Sequence, residues 1–264
     1  MTSNAPEDFN SKYTNANLAP DSTPYNSTVL CGLVRQLEEV DGGSIRAAAP
    51  GIIASVLCAQ RRGDAVPKLF RDLAKGKDMK ETKALFASFK LALNLTWAFT
   101  GLPQSIPACL GLPTRATPGL TSPHRPLLTD SVWVEKGREI NRAIYRAVGN
   151  AEVGRMVDEF FPEISHVANI AVFGFLIGGS ENTQRLPLSE ITVAGAIAAL
   201  GATRQARSHF KGSMGLGISV AAVHAVLQAA DRTAEWNNHK LPGAIDVAAL
   251  ADEVKANLKA LDGM

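Results

Sequence analysis

Apolar residues recur at the spacing of an α-helix through most of this sequence, and no stretch keeps the alternation of period two that is typical of a β-strand. The clearest helical segment runs from about residue 80 to residue 99, where apolar residues step by four along one face: Leu85, Phe89, Leu93 and Trp97. Aromatic residues make up only 6% of the chain, and alanine is abundant. The sequence therefore predicts an all-α protein whose helices pack closely through small side chains.

Composition divides the chain into four segments. Residues 1–27 are rich in Asn, Ser, Thr and Pro and predict a disordered or loosely attached arm. Residues 28–110 and 131–264 carry the helical patterns, and residues 111–130 between them are rich in proline and glycine. We therefore expect an N-terminal and a C-terminal helical lobe, packed together and joined by a crossover.

Charge and cysteine content restrict the class of protein. The chain has 27 basic and 25 acidic residues without long runs of one sign, so we expect no nucleic-acid and no membrane partner. Its longest apolar runs are too short to span a bilayer, and from its polar N-terminus we expect no signal peptide. Three distant cysteines without a Cys-x-x-Cys spacing argue against a disulfide framework: Cys31, Cys58 and Cys109. These features favour a cytoplasmic protein.

One alanine-rich segment, SEITVAGAIAALGATRQARSHFKGSMGLGIS, carries a single acid, Glu190, and a single imidazole, His209, nineteen residues later. In a straight helix these two groups would lie nearly 30 Å apart, at about 1.5 Å per residue. Gly201 is expected to end the first helix and Thr203 to cap the next one, which would fold His209 back toward Glu190.

Two interpretations of this acid and imidazole stay open. In the first, Glu190 lies in the first turn of a surface helix, where the helix dipole favours a carboxylate, and His209 lies on a solvated face. In the second, apolar neighbours enclose Glu190, which raises its pKa and lets the pair exchange protons with a bound small molecule.

The stretch LPLSEITVAGAIAALGATRQARSHFKGSMGLGISVAAVHAVL resembles the carboxymuconolactone decarboxylase and alkylhydroperoxidase-D-like (AhpD-like) superfamily. Its members share a Glu that begins one helix, a turn, a His on the next helix and a glycine corner. The peroxidase branch places a Cys-x-x-Cys between the Glu and the His, and this chain has Ala202 and Gln205 there. Without thiolates at these positions the resemblance is to the decarboxylase-like branch.

A second part of the resemblance lies in the first half of the chain. FTGLP, with Phe99, Gly101 and Pro103, is similar to the Tyr-x-Gly-Phe-Pro stretch that ends a long helix in decarboxylase-like members. Together the similar regions cover roughly residues 80–110 and 158–230. The resemblance implies an AhpD-like helical bundle and a homo-oligomer.

The resemblance also implies an activity. Glu190 and His209 would be the catalytic acid/base pair of a cofactor-independent decarboxylase, isomerase or lyase acting on a small organic acid, lactone or polyketide-like metabolite. The alternative is a non-catalytic oligomeric binding or scaffold protein that retains the fold. A thiol-dependent peroxidase is a third possibility, with Cys109 the cysteine nearest to a family-like segment.

Candidate substrate-binding residues lie on several predicted helices, and each has a plainer alternative. His166 could reach the cavity beside Glu190 or remain on a helix surface. Arg204 could bind an anionic substrate or form a surface ion pair, and Gln205 stands at a cysteine position of the peroxidase branch. Trp97 and Phe99 could line a pocket for a planar substrate or belong to the core or a subunit contact. The histidines form no i, i+4 pair, so we expect no metal site.

Overall fold

The computed structural model describes residues 10–15, 17–115, 131–149 and 151–263. These residues form α-helices with short π and 3₁₀ turns and no strand, which confirms the predicted all-α class. The helices of the described residues are α1 Ser27–Glu39, α2 Ala49–Ala59, α3 Ala65–Ala74, α4 Met79–Thr100, α5 Leu102–Arg115, α6 Val132–Tyr145, α7 Ala151–Phe160, α8 Pro162–Val167, α9 Leu186–Ala199, α10 Thr203–Gly215, α11 Val220–Trp236 and α12 Val247–Asp262.

Helices α2 and α9 form the centre of the molecule. Every residue of α2 is buried, and α9 is buried from Ser189 to its last residue. Both are rich in alanine and each contains one glycine, so neighbouring helices approach closely: a Cβ on Gly195 of α9 would lie 2.8 Å from a methyl group of Val226 on α11. Helix α9 also packs against α2, α4 and α10. Close packing of small side chains, as predicted, therefore builds the core.

A glycine corner joins α9 to α10, as the sequence predicts. Gly201 has a φ of +75°, in the left-handed region that favours glycine, and a Cβ there would lie 2.7 Å from the Pro242 ring. The predicted cap at Thr203 is wrong. The N-cap residue of α10 is Ala202, and the Thr203 hydroxyl instead donates to the carbonyl oxygen of Pro242 at 2.7 Å. The corner reverses the chain and lays α10 against α9.

Two glycines bring α6 against the π-helical segment Ala168–Ile177, which continues α8. A Cβ on Gly137 would lie 1.9 Å from the Asn169 carbonyl oxygen, and one on Gly174 would lie 2.3 Å from the Trp133 carbonyl oxygen. Neither position can hold a larger side chain without moving a backbone. This contact fixes α6, whose last residue, Tyr145, reaches α10.

One hydrophobic cluster draws on both predicted lobes, from Leu30 on α1 to Leu250 on α12. The boundaries of the lobes, and the AhpD-like form of the bundle, stay predictions. Helix α5 continues to Arg115, so the first residues of the predicted crossover are helical; residues 116–130 lie outside the described residues.

The end of the N-terminal segment is attached to the body. The Tyr25 hydroxyl donates to the Asp72 carboxylate at 2.9 Å, and the Trp236 indole donates to the Pro24 carbonyl oxygen at 3.2 Å. Residues 1–9, which were predicted to belong to the same disordered or loosely attached arm, lie outside the described residues.

One helical run, Pro162–Ser180, is long and apolar enough to cross a membrane by length and composition alone. The apolar run within this helix, IAVFGFLIGG, is itself shorter than a membrane span, and the helix reaches its length because it begins upstream of that run. Core helices of soluble proteins pass the same test, so the run does not decide where the protein resides.

Candidate active site

Glu190 and His209 meet in the interior between α9 and α10. The glycine corner turns the chain back, and His209 Nδ1 lies 2.7 Å from Glu190 Oε1. Glu190 is fully buried and His209 is 5% exposed. Glu190 is the fifth residue of α9 and not part of its first turn. The surface interpretation, with a capping carboxylate and a solvated imidazole, is therefore wrong.

The environment of Glu190 favours its neutral form more than water does. Burial raises the pKa of the Glu190 carboxyl, and the facing His209 ring opposes this rise without cancelling it. The second carboxylate oxygen, Oε2, is buried and has no hydrogen-bond partner among the described residues. A carboxylate in this setting lacks the solvation that normally stabilises its charge, so the pair holds a proton readily.

The opposite side of the imidazole faces Tyr145. The Tyr145 hydroxyl lies 3.5 Å from His209 Nε2, the outer limit of a hydrogen bond. Burial, together with the charge of Glu190, raises the pKa of the Tyr145 phenol, so the hydroxyl keeps its proton and can donate it in a hydrogen bond. Tyr145 is only half-buried. It is therefore the most accessible polar group of the three.

Aromatic rings enclose the imidazole. Phe99 meets His209 edge-to-face with 5.8 Å between ring centroids, and Tyr145 meets it similarly at 5.9 Å. Phe173 packs in turn against Tyr145 at 6.0 Å. These rings restrict the orientation of His209 and lower the local dielectric constant, which strengthens its interaction with Glu190.

Gly212, one turn after His209 on α10, provides the space for this arrangement. A Cβ there would lie 2.8 Å from the Ile144 carbonyl oxygen and 3.4 Å from Glu190 Oε1. Only glycine allows the end of α6 to come this close to α10 and to the carboxylate. The contact between Gly212 and Ile144 therefore places the next residue, Tyr145, beside the His209 imidazole.

The geometry suits proton transfer by an imidazole. When Glu190 is ionised, it accepts a hydrogen bond from Nδ1–H, which leaves the Nε2 lone pair available as a base. When the imidazole takes a second proton, the carboxylate stabilises the cation. The Tyr145 hydroxyl beside Nε2 can donate to an oxygen that gains negative charge.

Comparisons with protein-family models, curated proteins and solved structures find no match. The resemblance to the AhpD-like superfamily therefore stays a prediction, and the geometry of the site must carry the functional argument.

The predicted substrate-binding residues separate into two groups. Phe99 lies at the site, in contact with the His209 ring. Arg204 and Gln205 are exposed on α10, and the Arg204 guanidinium donates to the Ser208 hydroxyl at 3.2 Å. Trp97 is 36% exposed on α4. No hydrogen bond or ring contact within the described residues joins these last three to Glu190 or His209.

His166 remains on a helix surface, which is the plainer of the two alternatives that the sequence left open. It is exposed on α8 and lines a cleft of about 460 Å³ between α8 and α6, together with Arg138, Arg142 and Asn169. Neither this cleft nor a small one beside Arg61 and Pro103 is lined by Glu190 or His209. The other alternative, a place beside Glu190, required the helix of His166 to pack along α9.

Metal and thiol chemistry find little support in the described part of the chain. It contains no group of three or more His, Cys, Asp or Glu side chains that could hold a metal ion. Cys31 and Cys58 are buried, and Cys109 lies on the exposed face of α5. Burial raises the pKa of the Cys58 thiol, and protein atoms that exclude water from one side of Cys109 raise the pKa of that thiol too, which disfavours the reactive thiolate in both.

Tyr145 is the residue that reasoning from sequence missed. It ends an ordinary amphipathic helix, and nothing in its spacing connects it with α10. One signal was present: it is the only tyrosine after Tyr25 in the sequence.

Proposed function

We propose that this protein is a cofactor-independent acid/base enzyme, of the decarboxylase, isomerase or lyase type, acting on a small organic acid, lactone or polyketide-like metabolite. The observation that carries the proposal is the buried 2.7 Å contact between His209 Nδ1 and Glu190 Oε1, with Nε2 turned to a half-buried tyrosine. With it we propose membership of the decarboxylase-like branch of the AhpD-like superfamily, and a cytoplasmic homo-oligomer that binds neither nucleic acid nor membrane.

In this mechanism His209 Nε2 removes a proton from the carbon next to a carbonyl group and becomes an imidazolium. The Glu190 carboxylate stabilises that cation through Nδ1–H, and the Tyr145 hydroxyl donates to the developing enolate oxygen. Return of the proton from Nε2 to another carbon completes an isomerisation. In a decarboxylation, His209 begins as the imidazolium: carbon dioxide leaves first, and the imidazolium then gives its proton to the carbon of the enolate that results.

Deuterium exchange tests this proposal without knowledge of the natural substrate. A panel of 3-oxo acids and unsaturated γ-lactones is incubated with the protein in D₂O, and exchange at the α-carbon and loss of carbon dioxide are followed by NMR. At least one probe should react, and His209→Gln should slow the reaction by about 10²–10⁴-fold, as expected for loss of a general acid/base. His224→Gln is the matched control, because His224 is exposed on α11.

A second candidate function is a non-catalytic oligomeric binding or scaffold protein. It is favoured by the cleft of about 460 Å³ between α6 and α8, because neither Glu190 nor His209 lines this cleft. If no probe exchanges deuterium and none raises the melting temperature, this candidate replaces the enzyme. A peroxidase that uses Cys109 is the third candidate, and its raised thiol pKa counts against it.

A further inference from the structure

Residues 151–167, which comprise α7, Phe161 and α8, carry an apolar surface that no other part of the described chain covers. From here on, the arm means these residues and not the N-terminal segment. Helix α7 packs against α8 and makes no comparable contact with another described element. None of the arm's described side chains is buried. Six large apolar side chains are exposed by between 42% and 63%: Val153, Met156, Phe160, Phe161, Ile164 and Val167.

The size of this surface approaches what a protein dimer needs. Aromatic side chains bury about 150–250 Å² each, so six large side chains exposed by about half offer roughly 500–600 Å². The largest apolar patch on a typical monomer is about 300–600 Å² and is often functional. Two copies of the arm would bury about 1,000–1,200 Å², the lower range of specific protein interfaces.

The charge of the arm identifies the kind of partner. It contains four acidic residues, Glu152, Asp158, Glu159 and Glu163, against one arginine, Arg155. Helices that lie on a membrane surface are instead rich in Lys and Arg, which are attracted to anionic lipids. The acidic arm therefore favours a protein partner that offers basic side chains.

The chain itself offers such side chains next to the arm. Arg138 and Arg142 lie exposed on α6 and line the cleft between α6 and α8, and Arg146, also exposed, directly follows the last residue of α6. The ion pairs of Arg138 with Glu135 and of Arg146 with Asp262 are at the surface, and Arg142 has no ion pair within the described residues. In a two-fold dimer each surface patch meets its own copy, so the arm and α6 of one chain would face α6 and the arm of the other.

We propose that the arm packs against the arm and α6 of a second copy in a two-fold dimer. The six apolar side chains form the centre of the interface, and the acids of each arm face the α6 arginines of its partner. The proposal names the surface through which the expected homo-oligomer would form. It does not depend on whether Glu190 and His209 are catalytic.

The first experiment measures the molar mass of the full chain by sedimentation and light scattering over a concentration series. The protein should be a dimer, and Phe160→Glu or Ile164→Glu should raise the dissociation constant by at least 100-fold. Val220→Glu is the matched control, because Val220 is 44% exposed on α11, and it should leave the dimer intact. Arg142→Glu should also weaken the dimer, whereas Arg204→Glu, an exposed arginine of α10, should not.

A second measurement needs no variant. Amide hydrogen exchange in the arm should speed up when the wild-type protein is diluted below its dissociation constant, while exchange in α9 stays unchanged. A monomeric wild-type protein, or a dimer that survives Phe160→Glu and Ile164→Glu together, would overturn the proposal. So would a monomer whose arm binds vesicles of phosphatidylcholine and phosphatidylglycerol.

Discussion

Glu190 has two carboxylate oxygens with different surroundings, and the difference explains its role. Oε1 meets His209 at 2.7 Å, whereas Oε2 is buried without a partner among the described residues. An unsatisfied buried oxygen costs about 1–3 kcal/mol, more when the group is charged. Buried groups with a shifted pKa are common at functional sites. Here the shift helps the Glu190–His209 pair to retain a proton that it can give to a substrate.

Tyr145 allows a test of the site at single-atom resolution. Tyr145→Phe removes the hydroxyl beside His209 Nε2 and keeps the ring that packs on Phe173. We expect kcat for the reactive probe to fall by about 10²-fold, as for loss of one donor to a developing oxyanion, with little change in stability. Steady-state kinetics measure this, and Tyr25→Phe is the control, since Tyr25 bonds Asp72 away from the site. An unchanged kcat in Tyr145→Phe would remove the tyrosine from the mechanism.

At the scale of the elements, the site exists because α6, α9 and α10 approach one another more closely than ordinary side chains allow. Gly212 on α10 is the tightest point that touches the site, with Ile144 of α6 on one side and Glu190 of α9 on the other. Replacement of this glycine should therefore disturb the active geometry and the packing together.

Gly212→Ala should destabilise the protein by about 1–3 kcal/mol, the usual cost of overpacking. It should also lower probe turnover, because the new methyl group displaces α6 or the carboxylate. Gly32→Ala is the matched control: no atom lies within 4 Å of a Cβ at Gly32, in the middle of α1. There alanine should stabilise by about 0.5–1 kcal/mol through its helix propensity. Urea unfolding measures the free energy of unfolding of each variant. If Gly212→Ala and Gly32→Ala changed it by the same amount, the packing explanation would be contradicted.

The features of the fold and the site that depend on local sequence could be predicted, whereas those that depend on contacts between distant helices could not. The corner at Gly201 was predictable, because a glycine between two helical patterns marks a chain reversal locally. The corner, together with the resemblance, predicted that Glu190 and His209 meet. Tyr145 was not predictable, since its position depends on the approach of α6 at Gly137 and Gly174, which no spacing along the chain encodes.

The arm shows the same limit for a whole surface. The amphipathic pattern of α7 indicates an apolar face but does not say what covers it. For the same reason the sequence left open whether His166 reaches Glu190 or stays on a helix surface, and the structure places it in the cleft between α8 and α6.

At the scale of the whole molecule, a buried polar network ties the end of α11 to the loop after α2. Arg62 pairs with Asp64 through two hydrogen bonds, donates to Asn237 at 3.1 Å and stacks on Trp236. Arg62 and Asp64 are both almost fully buried. This network holds together residues that are far apart in the sequence. The loop after α11 also contains Pro242, against which the Gly201 corner packs.

Asp64→Ala should destabilise the protein by about 3 kcal/mol, because it leaves the Arg62 guanidinium buried without its carboxylate. Lys68→Ala is the control: Lys68 also pairs with Asp64, at 3.3 Å, but it is partly exposed and its loss leaves the Arg62 pair intact. Its effect should stay below about 1 kcal/mol. Urea denaturation distinguishes the two, and similar losses would show that burial does not set the strength of this network.

The titration of the Glu190 carboxyl tests the central claim most directly. It can be followed by ¹³C NMR on protein labelled at glutamate side chains, with Glu190→Gln to assign the signal. Burial is predicted to raise the Glu190 pKa above the usual value for glutamate, about 4.3. Since the raised pKa belongs to the folded state, the stability that this group contributes should be fully present below the unfolded pKa and lost as pH rises through the folded pKa. A Glu190 signal that titrates at the usual value, as a solvated side chain does, would contradict the buried acid/base pair and the activity proposed for it.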